Sequence, residues 1–89
     1  MKKTIHCFIS GRVQGVCYRM SASQQAKLMG ITGWVRNLED GRVELMASAE
    51  KTVLDDFRTW LAKGPSMARV LNVECAMVDE EEFADFTIR

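Results

Sequence analysis

Ile31-Thr32-Gly33-Trp34-Val35-Arg36-Asn37-Leu38-Glu39-Asp40-Gly41-Arg42-Val43-Glu44-Leu45-Met46-Ala47 holds two short apolar runs divided by a turn. Asp40-Gly41 is a strong hairpin signal between such runs. The spacing predicts one strand over Ile31 to Arg36 and its return over Val43 to Ala47, with Val43, Leu45 and Ala47 on one face. Helical spacing flanks this hairpin on both sides. Before it, Ala22, Ala26 and Met29 recur on one stripe of a segment from Arg19 to Met29, and Gly30 is placed to end that helix. After it, a helix opening at Ser48 or Ala49 carries the stripe Val53, Leu54, Phe57, Trp60 and Leu61, with Asp55, Asp56, Arg58 and Lys63 on the solvated side. Lys63-Gly64-Pro65 closes it.

Strands lie outside the helices. Thr4 to Val13 reads as the first strand, with Ile5, Cys7 and Ile9 on one face and His6, Phe8 and Ser10 on the other. Val70 to Val78 reads as the fourth, with Leu71, Val73, Cys75 and Met77 on one face. Asp79 to Glu82 is an acidic turn, and Phe83 to Arg89 a short closing strand or extended tail. The order β-α-β-β-α-β is two split βαβ units. It predicts an α+β, ferredoxin-like sandwich: a four-stranded antiparallel sheet, with room for a short fifth strand, and two helices on one face. In that topology the first strand is internal. The loop after it lies at the same end of the sheet as the close of the second strand, which brings Arg19 near Asn37.

Composition narrows the partners. The 89 residues suit one domain, 1–89, and 47% hydrophobic content suffices for a single core. Lys plus Arg and Asp plus Glu are both 12, so no net basic field holds a nucleic-acid backbone. The basic-then-apolar start, Met1 to Ile9, is too short for a signal peptide and meets Ser10, Gly11 and Arg12 at once. No run reaches membrane-spanning length. Three cysteines without paired spacing make a reducing cytoplasm the default, and a monomer is the default for so small and evenly charged a chain.

The other unusual stretch is Gly11-Arg12-Val13-Gln14-Gly15-Val16-Cys17-Tyr18-Arg19. Its glycines permit the dihedrals that turn several backbone N–H groups to one point. The following helix start favours an anion, and Arg19 adds a guanidinium. By itself this is an anion cradle. Asn37, at the end of a strand, by itself reads as turn chemistry.

Together the two stretches resemble the acylphosphatases, with the pattern G-x-V-Q-G-V-x-[FY]-R followed by G-[WYF]-V-x-N-x-x-[DN]-G-x-V. The chain carries Gly11, Val13, Gln14, Gly15, Val16, Tyr18 and Arg19, then Gly33, Trp34, Val35, Asn37, Asp40, Gly41 and Val43. Trp60-Leu61 and the closing Phe86-Thr87-Ile88-Arg89 also fit. The resemblance implies metal-free, cofactor-free hydrolysis of acyl phosphates to a carboxylate and phosphate. It implies that Arg19 is the catalytic arginine and Asn37 the residue that positions water. The phosphate-binding loop amides then fall on Gln14, Gly15, Val16, Cys17, Tyr18 and Arg19. Tyr18 stands where many members carry Phe.

That chemistry needs few groups. A carboxylate leaves without a strong general acid, so the task is to hold the phosphoryl group, balance its charge and aim a water. The single His6 reads as a strand residue on the open sheet face rather than a base. Cys17 reads as a spectator, because only Tyr18 separates it from Arg19 and no C-x5-R loop is present. Cys7 and Cys75 fall on neighbouring strands; a disulfide is conceivable, and two reduced, partly buried thiols are the expectation. Trp34 alternates away from Val35 onto the exposed sheet face, where a place near the substrate's acyl end is one reading. Arg36 reads as solvent-facing, and Arg12 stays unassigned. Two rivals remain: an RNA-recognition domain, disfavoured by neutral charge and by the absence of aromatics from Val43 to Ala47, and a non-catalytic phosphate-binding regulatory domain.

Overall fold

In a computed structural model of residues 1–89 the order is β1 (Lys2–Arg12), α1 (Tyr18–Leu28), β2 (Thr32–Asn37), β3 (Val43–Glu50), α2 (Lys51–Lys63), β4 (Arg69–Val78) and β5 (Phe86–Ile88). The strands form one sheet in the order β4-β1-β3-β2-β5. β1 pairs antiparallel with β3 and β4, β2 pairs antiparallel with β3, and the short β5 lies parallel to β2. The architecture is therefore the ferredoxin-like α+β sandwich, with a fifth strand added at one edge.

One apolar cluster joins the sheet to both helices. Ile5, Cys7 and Ile9 of β1 meet Val43, Leu45 and Ala47 of β3, and Leu54, Phe57 and Leu61 of α2 close over them. Phe57 stacks parallel to Trp60 and edge-on to Phe86, an arrangement worth about 0.5–1.5 kcal/mol per pair beyond area burial. α1 presents Ala22 and Ala26, whose small side chains let the helix approach the sheet. It ends where the N–H of Ile31 returns to the carbonyl of Ala26 at 2.8 Å, the six-to-one bond of a Schellman turn.

Several expectations need correction. β3 runs on to Glu50, and α2 opens at Lys51 rather than at Ser48 or Ala49. The reason is long-range: Ser48, Ala49 and Glu50 pair with Thr4, Lys3 and Lys2 of β1. The Ser48 hydroxyl also lies 2.6 Å from that of Thr4 and donates to the Glu81 carbonyl at 2.8 Å. On β4, Val73 and Cys75 pack against the core as expected, but Leu71 and Met77 are exposed. A bulge between Ser10 and Gly11 leaves Leu71 unpaired and turns Val70 inward. Gly11 sits in that bulge with φ 126°, and a Cβ there would lie 2.2 Å from the Arg69 carbonyl oxygen, so only glycine fits.

The expectation of two reduced thiols is overturned as well. Cys7 and Cys75 face each other in register on β1 and β4, with Cα atoms 4.1 Å apart, and form a disulfide. Neighbouring strands alone leave a bridge between residues 68 apart conceivable, and the register brings it about. The bridge also withdraws the cysteine-based ground for a reducing compartment. No helix is long and apolar enough to cross a membrane.

On the sheet face away from the helices, Trp34 is only 8% exposed. The Arg89 guanidinium lies 4.5 Å and that of Arg36 5.4 Å from its ring centroid. Arg36 Nε also donates to Glu44 Oε1 at 2.6 Å, and His6 Nε2 is hydrogen-bonded to Glu44 Oε2 at 2.6 Å. His6 and Arg36 thus hold a mostly buried carboxylate. Burial pushes the Glu44 carboxyl up, but the bonds from His6 and Arg36 outweigh that, and its pKa is lowered.

Candidate active site

The loop from Val13 to Cys17 leaves β1 and turns sharply into α1. Gly15 has φ 75° and Cys17 φ 63°. Two left-handed residues so close together make the peptide plane swing twice, the backbone geometry of an anion nest. A non-glycine residue pays in strain for such an angle, and Cys17 carries no side-chain cap bond that offsets it. The N–H groups of Gln14, Gly15, Val16 and Cys17 donate to no protein acceptor. The first turn of α1 leaves further N–H groups without intrahelical partners.

Tyr18 anchors this loop from below. Its ring is buried, and its hydroxyl donates to the Leu61 carbonyl of α2 at 2.7 Å. Burial pushes the Tyr18 hydroxyl well above its ordinary pKa, so it stays a neutral donor. The hydroxyl that distinguishes Tyr from Phe here thus faces the core rather than the cleft.

Beside the loop lies a cleft of about 380 Å³, lined by Val13, Gln14, Gly15, Cys17, Tyr18, Arg19, Met20, Asn37 and Ile88. Arg19 and Asn37, separated by a helix and a strand in sequence, meet here. Arg19 Nη1 donates to the Arg89 main-chain oxygen at 3.2 Å, and the Arg89 N–H in turn donates to the Val35 carbonyl at 2.8 Å. The guanidinium is thereby tied to the β5 side of the cleft with donors left over. The Oδ1 of Asn37 is buried and has no hydrogen-bond partner in the protein. Such an atom costs about 1–3 kcal/mol and calls for an explanation. Val16 packs into the core cluster instead of lining the cleft, so only its main chain is available there.

Gln14 has a role that the motif did not suggest. Its Nε2 donates to the carbonyls of Leu38 at 2.8 Å and Arg42 at 3.0 Å. Those carbonyls straddle the turn that follows Asn37. The turn is closed by the Leu38 N–H to the Arg42 carbonyl at 2.8 Å, and Asp40 Oδ1 accepts the Arg42 N–H at 3.1 Å. Gln14 therefore ties the loop that carries Arg19 to the hairpin that carries Asn37. A polar side chain between two glycines was the only signal for this. Cys17 is an exposed free thiol at the rim. His6 and Trp34 do not line the cleft, and no group of three His, Cys, Asp or Glu side chains is arranged to hold a metal ion.

Fold and cleft together define a class: a ferredoxin-like domain offering an arginine, unpaired main-chain amides and an unpaired amide oxygen to one small cleft. Comparison with known proteins makes this particular. The family model described as Acylphosphatase matches residues 5–88. The acylphosphatase of Nitrosococcus oceani is 42% identical over 89 residues, covering 100% of both chains. That of Methylococcus capsulatus is 45% identical over 87 residues, covering 97% of this chain and 95% of the relative. The solved structure of an acylphosphatase from Coxiella burnetii superposes with a TM-score of 0.96 at 40% identity, covering 99% of this chain and 93% of that one. The chain belongs to the acylphosphatase family.

Proposed function

We propose that this protein hydrolyses the carboxyl–phosphate bond of acyl phosphates, with Arg19 and the amides from Gln14 to Arg19 binding the phosphoryl group and Asn37 positioning the attacking water. The observation that carries this reading is the buried, unpartnered Oδ1 of Asn37, in one cleft with Arg19. An acceptor so placed takes a hydrogen bond from a water and aims its oxygen lone pair elsewhere, which is what an in-line attack needs.

The steps follow from the groups present. The Arg19 fork and the loop amides hold the non-bridging phosphoryl oxygens and balance their charge, which a lysine's single point charge does less well. The water oxygen attacks phosphorus, and the bond from phosphorus to the acyl oxygen breaks. The electron pair leaves with the carboxylate, which needs no proton at neutral pH. The water's proton passes to a phosphoryl oxygen, so no protein base is required. Each well-placed donor is typically worth ~3–4 kcal/mol. On the same reading the partner is a small molecule, and the balanced charge of 12 basic and 12 acidic side chains favours no nucleic acid and leaves a monomer the default.

The test is benzoyl phosphate hydrolysis in the presence of EDTA. Asn37→Ala is expected to lose about 10²–10³-fold in kcat, while inorganic phosphate still inhibits as it does in the unmodified protein. Arg19→Gln is expected to lose both turnover and phosphate inhibition. Hydrolysis by Asn37→Ala at the unmodified rate would remove the water-positioning role.

A further inference from the structure

The chain carries no net charge, yet its charges are not evenly spread. Arg12 closes β1, Arg19 opens α1, Arg36 lies at the end of β2, Arg42 precedes β3, Arg69 opens β4 and Arg89 follows β5. The pairing puts all six at one end of the sheet: Arg12 lies opposite Arg69, Asn37 opposite Val43, and Val35 beside Ile88. The cleft is at that end, since Arg19 and Asn37 line it. Of the arginines only Arg58 lies elsewhere, and the acidic side chains near the six are Glu39, Asp40 and Glu44. The far end is the reverse. There the acidic run Asp79 to Glu82 is tied to Thr4 and Ser48 through the main chain of Glu81.

Two of the six are already neutralised, Arg36 by Glu44 and Arg42 by Asp40. Arg19 and Arg89 are joined to each other at the cleft. Arg12 and Arg69 are different. Both are exposed and neither forms an ion pair, although they face each other in register. Like charges so placed destabilise a sheet. Neither lines the cleft, but Arg12 adjoins Val13, which does. Distance decides which charges an anion at the cleft feels. β1 runs the length of the sheet, and its 11 residues at about 3.3 Å each span roughly 33 Å. The Debye length is about 8 Å at physiological ionic strength. The acidic run at the far end is therefore screened from the cleft, and Arg12 and Arg69 are screened far less. A molecule neutral as a whole shows an approaching anion a positive end.

We propose that Arg12 and Arg69 steer the anionic substrate to the cleft: they raise the capture of its phosphoryl group and take no part in its turnover. This rests on the acyl phosphate reading of the cleft. The phosphoryl end carries negative charge whatever acyl group is attached, so the attraction is common to all such substrates. One cation acting through water on a dianion at about 15 Å changes its local concentration by a factor of about two to three. Two such cations act together, and the field needs no contact with the substrate. Steering also gives a use to a pair of like charges that the sheet by itself disfavours.

Steady-state kinetics on benzoyl phosphate from about 10 mM to about 0.2 M sodium chloride test it. The proteins compared are the unmodified chain, Arg12→Gln, Arg69→Gln, and a double variant, Arg12→Lys with Arg69→Lys, that keeps both charges. At the lowest salt each Gln variant is expected to lose about two- to threefold in kcat/KM with kcat unchanged. The difference should vanish at the highest salt. The Lys double variant should follow the unmodified protein throughout, because a field depends on charge and not on the shape of the guanidinium. Chloride competing for the cradle acts on every variant alike, so the comparison is between their salt dependences. Parallel salt dependences in all four proteins, or a Lys double variant that behaves like the Gln variants, overturn the steering role and leave the hydrolase reading standing. Absence of turnover by the unmodified protein removes the hydrolase reading and the steering role with it.

Discussion

On the proposed reading, function and stability oppose each other at Asn37. An unpartnered buried acceptor destabilises the fold by about 1–3 kcal/mol, and the Asn37 Oδ1 is such an atom. Asn37→Ala is therefore expected to melt no lower than the unmodified protein while losing turnover; a marked fall in Tm would mean that the side chain holds the hairpin instead. Glu44 makes the opposite case. Its pKa is lowered in the fold, so its ionised form stabilises the protein at neutral pH. That contribution is complete above the ordinary carboxyl value of 4.5 and is lost as pH falls through the depressed folded value. Unfolding free energy measured by denaturant should decline below pH 4.5, and Glu44→Gln should flatten that decline. An unchanged slope in Glu44→Gln would assign the acid sensitivity to other carboxylates. Glu44 carried no sequence signal, because its partners His6 and Arg36 come from two other strands.

Among the elements, the loop before α1 and the hairpin between β2 and β3 act as one device, and Gln14 is the tie between them. Gln14→Leu keeps the volume and removes both bonds. The cradle backbone then survives, but the hairpin that carries Asn37 is no longer tied to the loop that carries Arg19. Misplacement by about 1 Å costs roughly 10²-fold in rate, so kcat should fall steeply with phosphate inhibition little changed. In an Asn37→Ala background the same substitution should add almost nothing, because the positioned group is already gone. Additive losses would assign Gln14 a separate role. The hairpin and both helices were legible, since Asp40-Gly41 and the helical stripes are local signals. The end of β3 was not. Ser48 and Ala49 suit a helix start by local chemistry, and pairing to Thr4 and Lys3 overrides it. Val73 and Cys75 were legible as the inward face of β4, but its start was not, because one bulged residue there sends Leu71 outward and turns Val70 in.

Over the whole molecule, the Cys7–Cys75 bridge joins the internal strand β1 to the edge strand β4 and closes a loop of 68 residues. Chain-entropy reasoning assigns such a closure about 4 kcal/mol, a large share of the about 5–15 kcal/mol typical of a domain. Dithiothreitol, or Cys75→Ser, should lower the urea midpoint accordingly. Identical midpoints with and without reductant, with intact mass showing two free thiols, would return the pair to the reduced state. Local order was readable from the chain: the alternation of strands and helices follows from short-range periodicity, and the loop and hairpin motifs from residues only a few positions apart. The ferredoxin-like topology then follows, because two split βαβ units have few ways to bury their apolar faces. The amino-acid sequence by itself therefore determined the element order, the fold class and the meeting of Arg19 with Asn37 at one end of the sheet. Only the tertiary structure decided the Cys7–Cys75 bridge, the Glu44 ion pairs and the Gln14 tie. Each of these depends on distances between side chains far apart in sequence, which register, bulges and packing set and periodicity does not encode.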